Sequence, residues 1–336
     1  KILIVNRHFY PCYEAGGPVR SLVNLTGLLS SRFDMDVITS CFDLKRKPFG
    51  DIKINSWINS INLSRVYYSS GVLETLNQFR RMRKEDYSVI YINSFFDFSF
   101  SILLICYLFF GSKYKGEVVL APRGELTAGA MRFKRLKKKL YICFFKFFNL
   151  NQKVTFHYTS ADECSEGSAL IQSQRSFLCP NMHERPADLS FLSKKPNFLS
   201  LIFLSRISEK KNLAAALLAL KEIPHNIKVD FTIVGPVDSE SYWRSCQKII
   251  EKLPTNVTVE YSGSLGREEV VKAFLTSHAF VLPTYNENYG HAIVESLVYG
   301  CIPIISDSTP WSEVKLIGGY VHSPDNYHAI SESIVK

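Results

Sequence analysis

Short runs of apolar residues, rich in β-branched and aromatic side chains, recur along the chain, and stretches with helical spacing separate them. The runs cover positions 2–5, 37–39, 66–68, 89–92, 118–121 and 155–158, then 201–204, 231–234, 257–261, 280–282 and 302–305. Strand and helix alternating in this way predict parallel sheets covered on both faces. The alternation pauses between about 178 and 198, where Pro180, Asn181, Pro186, Lys194, Lys195 and Pro196 interrupt any regular element. The expected organisation is therefore α/β: a doubly wound, Rossmann-like domain over 1–180, a linker over 181–198, and a second such domain over 199–336. Ligands of such sheets bind at the C-terminal ends of the strands, so two of them facing one another would make a central cleft. Ser160, Ala161, Asp162 and Glu163 read as a capping box, and Gly290 opens an amphipathic run that Gly300 and Pro303 close. The apolar stretch 101–110 is too short to span a bilayer and predicts a buried helix.

Composition leaves this picture standing. With 336 residues and 46% apolar content the chain can bury two cores. At 21% charged, without repeats or low-complexity tracts, it falls outside the disordered, solenoid and fibrous classes. Its eight cysteines are scattered with no C-x-x-C pair, and read as reduced core thiols. The first residues form a strand-like run without the basic region and cleavage site of a secretory signal, which predicts a cytoplasmic location. The absent initiator Met and the end at Lys336 suggest part of a longer gene product.

Charge changes the picture more. Residues 1–180 hold 25 Lys/Arg against 14 Asp/Glu, and residues 181–336 hold 15 against 17, so the halves carry +11 and −2. Such asymmetry calls for an anionic partner of the first half: phospholipid, nucleic acid or a phosphorylated acceptor. Residues 131–149 carry Arg132, Lys134, Arg135, Lys137, Lys138, Lys139 and Lys146, no acid, and many aromatic and aliphatic residues. The segment resembles an interfacial membrane helix, with part of its apolar face left to cover the first sheet.

Candidate chemistry gathers at predicted strand ends. After the run 280–282, Glu287 falls in a loop and Glu295 inside the next helix, with Asn288, Tyr289, Gly290 and His291 at the helix start between them. Unpaired N–H groups there suit a diphosphate, and Glu295 stands roughly 7 Å along the axis from Gly290. Acids favour helix starts in any case, but Glu295 among Ile293, Val294 and Leu297 is an odd choice for a solvated face. Arg206 and Lys211 follow the run 201–204, where two fixed cations can neutralise a departing diphosphate; a solvated basic turn is the plain alternative. Gly16 and Gly17 follow the first strand and let the backbone approach a bulky anion, although most such turns are only turns, and the pattern is no G-x-G-x-x-G fingerprint. Arg123 and Glu125 follow the run 118–121 and can meet an acceptor or phosphates, or simply build a turn. Asp34 and Asp36 have the spacing of a D-x-D metal motif, but Asp36 runs straight into a strand and the pair is read as the end of a loop.

Taken together, Gly16 and Gly17, Arg206 with Lys211, and the Glu-x7-Glu pair Glu287/Glu295 resemble the donor site of glycosyltransferase family 4, the retaining enzymes of GT-B fold, over nearly the whole chain. Arg123 with its neighbours and Pro180-Asn181 match stretches of the family's bacterial polysaccharide enzymes. The resemblance implies a nucleotide-diphosphate sugar held mainly by the second domain. The base would lie near Ser262–Leu265, Glu295 on the ribose, Glu287 on the sugar, Arg206 and Lys211 on the diphosphate, and the Gly16-Gly17 loop over it. It implies no cofactor and no metal, and a saccharide acceptor carried on polyprenyl diphosphate at the inner face of the cytoplasmic membrane, in O-antigen, capsule or exopolysaccharide synthesis. Two features depart from the family: the chain stops near where a C-terminal helix should cross back to the first domain, and no histidine stands at the Arg123 segment. Other readings are a GT-B-like epimerase or hydrolase acting on the donor alone, and a non-catalytic basic protein binding membrane or nucleic acid. For nucleic acid, no aromatic-plus-basic stacking motif is evident.

Overall fold

The computed structural model describes the chain apart from residues 13, 14, 51, 61, 62, 83, 84, 113, 133, 183–194 and 288. It divides into two units, Lys1–Glu184 and Arg185–Lys336.

In the first unit the strands are β1 (Ile2–Val5), β2 (Met35–Ser40), β3 (Trp57–Ser60), β4 (Leu63–Ser69), β5 (Val89–Ile92), β6 (Glu117–Leu120), β7 (Thr155–Tyr158) and β8 (Arg175–Leu178). Among the described residues these eight lie in the order β3-β4-β2-β1-β5-β6-β7-β8. The central strands are buried on both faces, which is why they read as unbroken apolar runs: Leu3, Ile4 and Val5 of β1 are at most 1% exposed. One neighbour pair departs from the parallel expectation, because β3 runs antiparallel to β4 as an edge hairpin. Its half-exposed sequence Trp-Ile-Asn-Ser carries too weak a pattern to be seen, and the same holds for the exposed edge strand β8. The helices are α1 (Gly17–Leu29), α2 (Val72–Met82), α3 (Leu103–Cys106), α4 (Ala128–Met131), α5 (Arg135–Phe147), α6 (Leu150–Lys153) and α7 (Ala161–Ile171). The apolar stretch near 101–110 is helical, with π-helical turns Phe98–Ile102 and Tyr107–Gly111 on either side of α3.

In the second unit β9 (Phe198–Leu204), β10 (Lys228–Val234), β11 (Val257–Gly263), β12 (Ala279–Leu282), β13 (Ile302–Ser306) and β14 (Tyr320–His322) form a parallel sheet in the order β11-β10-β9-β12-β13-β14. Around it lie α8 (Leu213–Leu220), α9 (Glu240–Ile250), α10 (Arg267–Leu275), α11 (His291–Val298) and α12 (Tyr327–Val335). Helix α8, Leu-Ala-Ala-Ala-Leu-Leu-Ala-Leu, is buried on almost every side, as its composition requires.

Strand order fixes where each sheet can hold a ligand. In the first sheet the chain winds outward from β1 in one direction and from β5 in the other; in the second it does so from β9 and β12. The crevices outside the C-terminal ends of these neighbours are the topological switch points.

Three expectations need correcting. Ser160 Oγ does accept from Glu163 N at 3.2 Å, but the Glu163 carboxylate does not return to the cap. Fully buried, it accepts from Thr159 N at 2.8 Å, from Thr159 Oγ1 at 2.6 Å and from Gly124 N, so it joins two loops. Asp36 ends no loop: it lies inside β2, fully buried, 2.7 Å from Arg65 Nη2, 2.8 Å from Lys1 Nζ and 2.6 Å from Tyr87 Oη. The cysteines are free thiols, but only part of them are core: Cys12, Cys41, Cys246 and Cys301 are buried, whereas Cys143 is exposed on α5.

Candidate functional site

The C-terminal switch point is built from the loops that leave β9 and β12. Beyond Leu204 the chain is tied to its neighbour strand by Ser205 N to Val234 O at 3.0 Å and Ile207 N to Pro236 O at 2.9 Å. Gly235, at φ +137, makes this approach possible, since a Cβ there would lie 2.0 Å from Ser205 O. A 3-10 turn, Glu209–Lys211, then delivers two lysines before α8. From the other side, Tyr285 N donates to Lys210 O at 2.9 Å, and the Thr284 hydroxyl lies 3.1 Å from the same oxygen. These bonds fix the loops together, and Lys211 Nζ forms an ion pair with Glu287 Oε1.

That pair is enclosed: the side chains of Lys211 and Glu287 are 11% and 16% exposed. Enclosure raises both the cost of removing either partner and the force with which the survivor acts on an incoming charge. Lys210 stands in the same field. Burial first, then the charge of Lys211, pulls its ammonium below the ordinary lysine range, while Glu287 opposes the shift. Arg206 is placed differently, on the rim, where Nη1 lies 3.2 Å from Asp238 Oδ2 with both side chains about half exposed.

Helix α11 follows the β12 loop. Gly290 caps it with φ +76, and no acid occupies the first turn. A Cβ at Gly290 would lie 2.8 Å from Ile293 Cδ1, so the turn is shaped for glycine. Tyr289 is buried, which pushes its phenol up to about 12. Its carbonyl accepts from Trp311 Nε1, and its ring meets Trp311 edge-on at 5.5 Å and His291 at 4.8 Å. Glu295 is 9% exposed inside α11, as its apolar neighbours implied. Asn288 lies outside the described residues. Ser262 is in the last part of β11 and Leu265 in the loop before α10, at the same sheet end but two strands from β9.

In the N-terminal unit Gly16 caps α1 with φ +78, Gly17 begins the helix, and Pro18 occupies its first turn. Arg123, itself at φ +54, is heavily engaged: it donates to Asn93 Oδ1 at 2.6 Å, to Tyr91 Oη at 2.8 Å and to Asn181 Oδ1. Tyr91 Oη in turn lies 2.7 Å from His157 Nδ1, whose Nε2 meets Cys179 O at 2.8 Å. Burial and the Arg123 charge lower His157 to about 4, so the ring is neutral. Glu125 accepts from Phe95 N at 2.6 Å, Phe96 N at 3.0 Å and Ser94 Oγ at 2.8 Å, and burial nonetheless holds its carboxyl above the ordinary range. Arg123 and Glu125 thus build the loops at the ends of β5 and β6.

The structure therefore brings Lys211 to Glu287 and seats both beside Lys210, while Arg206 stands on the rim with Asp238. Sequence reasoning passed over Lys210, Asp238 and Gly235. It also passed over Arg7, whose guanidinium pairs with Asp97 across the β1/β5 switch point and lines a pocket with His8, Ser40, Phe42, Asp43, Leu44 and Arg46. Their common signal is a position one to six residues past a strand end, which becomes informative once strand order is known. Among the described residues no group of three or more His, Cys, Asp or Glu could hold a metal ion.

A model of the family described as glycosyl transferases group 1 matches residues 185–336. The chain is 21% identical over 137 residues to the O-antigen chain mannosyltransferase B of Escherichia coli, a match covering 40% of this chain and 35% of that protein. It is similar in structure to the HepE protein of Anabaena solved with UDP and glucose, with a TM-score of 0.70, 15% identity, and coverage of 99% of this chain and 88% of that one. The sucrose-phosphate synthase of Thermosynechococcus elongatus gives a TM-score of 0.72, 16% identity and the same coverage, 99% and 88%. These likenesses, with two parallel-sheet α/β domains, define a GT-B fold.

Proposed function

From the premise that residues 185–336 form a group 1 glycosyltransferase domain, we propose that the chain is a retaining glycosyltransferase of family 4. It moves a sugar from a nucleotide-diphosphate donor to a saccharide acceptor. The observation that carries this reading is the enclosed Lys211–Glu287 pair at the β9/β12 switch point, one loop before a helix start that holds no acid. A diphosphate there meets Lys211 and Arg206, with Lys210 behind them and the α11 N–H groups ahead. Lys211 then shares its charge with the phosphates, and Glu287 is released to accept from a sugar hydroxyl. Glu295 would accept from the ribose, and Ser262 and Leu265 would flank the base.

In the step itself an acceptor hydroxyl oxygen bonds to the anomeric carbon as the bond from that carbon to the diphosphate oxygen breaks. The leaving phosphate oxygen takes the hydroxyl proton, and attack on the face from which the diphosphate departs retains configuration. Neutralising the growing charge on the diphosphate is the main catalytic term, and the proposal gives that work to side chains and helix N–H groups rather than to a metal. The acceptor is assigned as a polyprenyl-diphosphate-linked saccharide of surface-polysaccharide synthesis at the cytoplasmic face of an anionic membrane. The +11 charge of residues 1–180 and the similarity to an O-antigen mannosyltransferase support that assignment.

A panel of nucleotide sugars in a thermal-shift assay tests the donor. A ligand at about a hundred times its Kd should stabilise the fold by about 2.7 kcal/mol. No shift with any nucleotide sugar would sink the proposal, and sugar release from donor alone, with no acceptor product, would replace it with a hydrolase or epimerase.

A further inference from the structure

Helix α5 turns an apolar stripe away from its own domain. Ile142 and Phe145 anchor it in the core, yet Leu136, Leu140 and Phe147 are 79%, 71% and 78% exposed. Leu136, Leu140, Cys143 and Phe147 follow one another at intervals of four, three and four residues, so they share one line along the helix, roughly opposite the buried pair. A helix on a globular domain ordinarily carries charge along that line. Here the charges stand beside it: Lys137 on one flank, Lys139 and Lys146 on the other. Lys138 belongs to neither flank, because its ammonium turns inward to Ala130 O at 2.8 Å and over the Phe96 ring.

The stripe widens at its C-terminal end. Phe148 lies 5.0 Å from Phe147 and 4.9 Å from Phe110 between ring centroids, and Phe110 is itself 53% exposed. No Asp or Glu occurs between Glu125 and Asp162, so nothing in the segment repels an anion.

We infer that this face of α5, with Phe110 and Phe148, is the surface on which the chain lies against an anionic lipid bilayer. A bilayer offers an apolar layer directly beneath a layer of phosphates. Leucine and phenylalanine on the midline enter the first while lysines on both flanks reach back to the second. A nucleic acid would use the lysines and leave Leu136 and Leu140 in water. A second protein, or a second copy of this chain, would have to bring acids on both sides of an apolar ridge. Among the described residues no helix is long and apolar enough to cross a membrane, so α5 lies on the surface. The inference deepens the proposed reaction by naming where the membrane is met, and it is tested apart from that reaction, since vesicle binding needs no donor and the donor shift needs no vesicle.

The experiment is flotation of the full chain with vesicles of phosphatidylcholine alone or mixed with phosphatidylglycerol. The chain should float with the anionic vesicles and release as salt rises. Each lysine near the surface is worth roughly a fivefold change in partitioning, so Lys137→Gln, Lys139→Gln and Lys146→Gln together should weaken binding on the order of a hundredfold. Leu136→Ser with Leu140→Ser should weaken it by tenfold or more. Because these side chains are exposed, apart from Lys146, which is half-buried with a single 3.3 Å bond to Gln172 Oε1, the melting temperature should hold in both variants. Absence of binding to anionic vesicles overturns the inference, as does binding that survives both sets of changes. Self-association of the free chain that Leu136→Ser and Leu140→Ser abolish, without vesicle binding, assigns the face to a second copy instead. Nucleic-acid binding that responds to the lysine changes alone, again without vesicle binding, also overturns it.

Discussion

Each domain places a cation and a carboxylate across its switch point, and the two pairs differ in how far the cation is enclosed. In the C-terminal domain Lys211 and Glu287 are 11% and 16% exposed, and the loops that carry them are bonded to each other through Lys210 O. In the N-terminal domain Arg7 is 45% exposed but Asp97 only 12%, and Asp97 also caps the following helical turn by accepting from Phe100 N at 2.8 Å. The same topological position therefore yields a pair with both partners shielded from water in one domain and, in the other, an enclosed carboxylate whose cation is half solvated. A diphosphate gains most from the shielded one.

The largest effect should come from breaking the enclosed pair. Lys211→Ala should lower turnover with a nucleotide-sugar donor by about 10²–10³-fold and abolish the donor-induced thermal shift; unchanged turnover would refute the assignment. Next come the frameworks behind the two sites. Glu163→Ala leaves buried N–H donors of Gly124 and Thr159 without their acceptor and should destabilise the N-terminal domain by about 3 kcal/mol. Gly235→Ala forces a Cβ against Ser205 O and should destabilise the C-terminal domain by about 2 kcal/mol. Denaturant unfolding measures both, and stability unchanged by either substitution would contradict the corresponding contact.

A pH effect separates the domains further. His157 is held neutral, its pKa lowered to about 4 by burial and by Arg123. The unfolded ring titrates near 6.5, so the stability this histidine gives is complete above that pH and is lost as pH falls toward 4. The loss should be about 3 kcal/mol, confined to the N-terminal domain and flattened by His157→Asn; a parallel decline in both domains would assign it elsewhere. The smallest effect should follow Arg7→Gln, under about 0.5 kcal/mol, because the arginine is half exposed and Asp97 keeps its bond from Phe100 N.

Much of the fold was legible because buried parallel strands are apolar along their whole length, as in the runs of β1, β5 and β12. The strands that escaped notice, β3, β8 and β14, are short and partly exposed, so burial leaves no pattern on them. Glu295 was legible for a related reason: an acid among Ile293, Val294 and Leu297 stands out, and it is buried. Glu163 misled because a capping box and a buried loop clamp use the same residues at the same spacing, and only the position of Gly124 distinguishes them.

Local spacing, then, determined which residues become strand or helix, that Gly290 starts α11, and that the chain between Glu125 and Asp162 is basic, since each follows from neighbours a few positions apart. Strand order decided the rest. It brought Lys211 to Glu287 across 76 positions, put Lys210 beside them, left Arg206 on the rim with Asp238, and turned Leu136, Leu140 and Phe147 outward. Periodicity defines the two faces of a helix, but packing against a particular sheet selects which of them meets water or lipid.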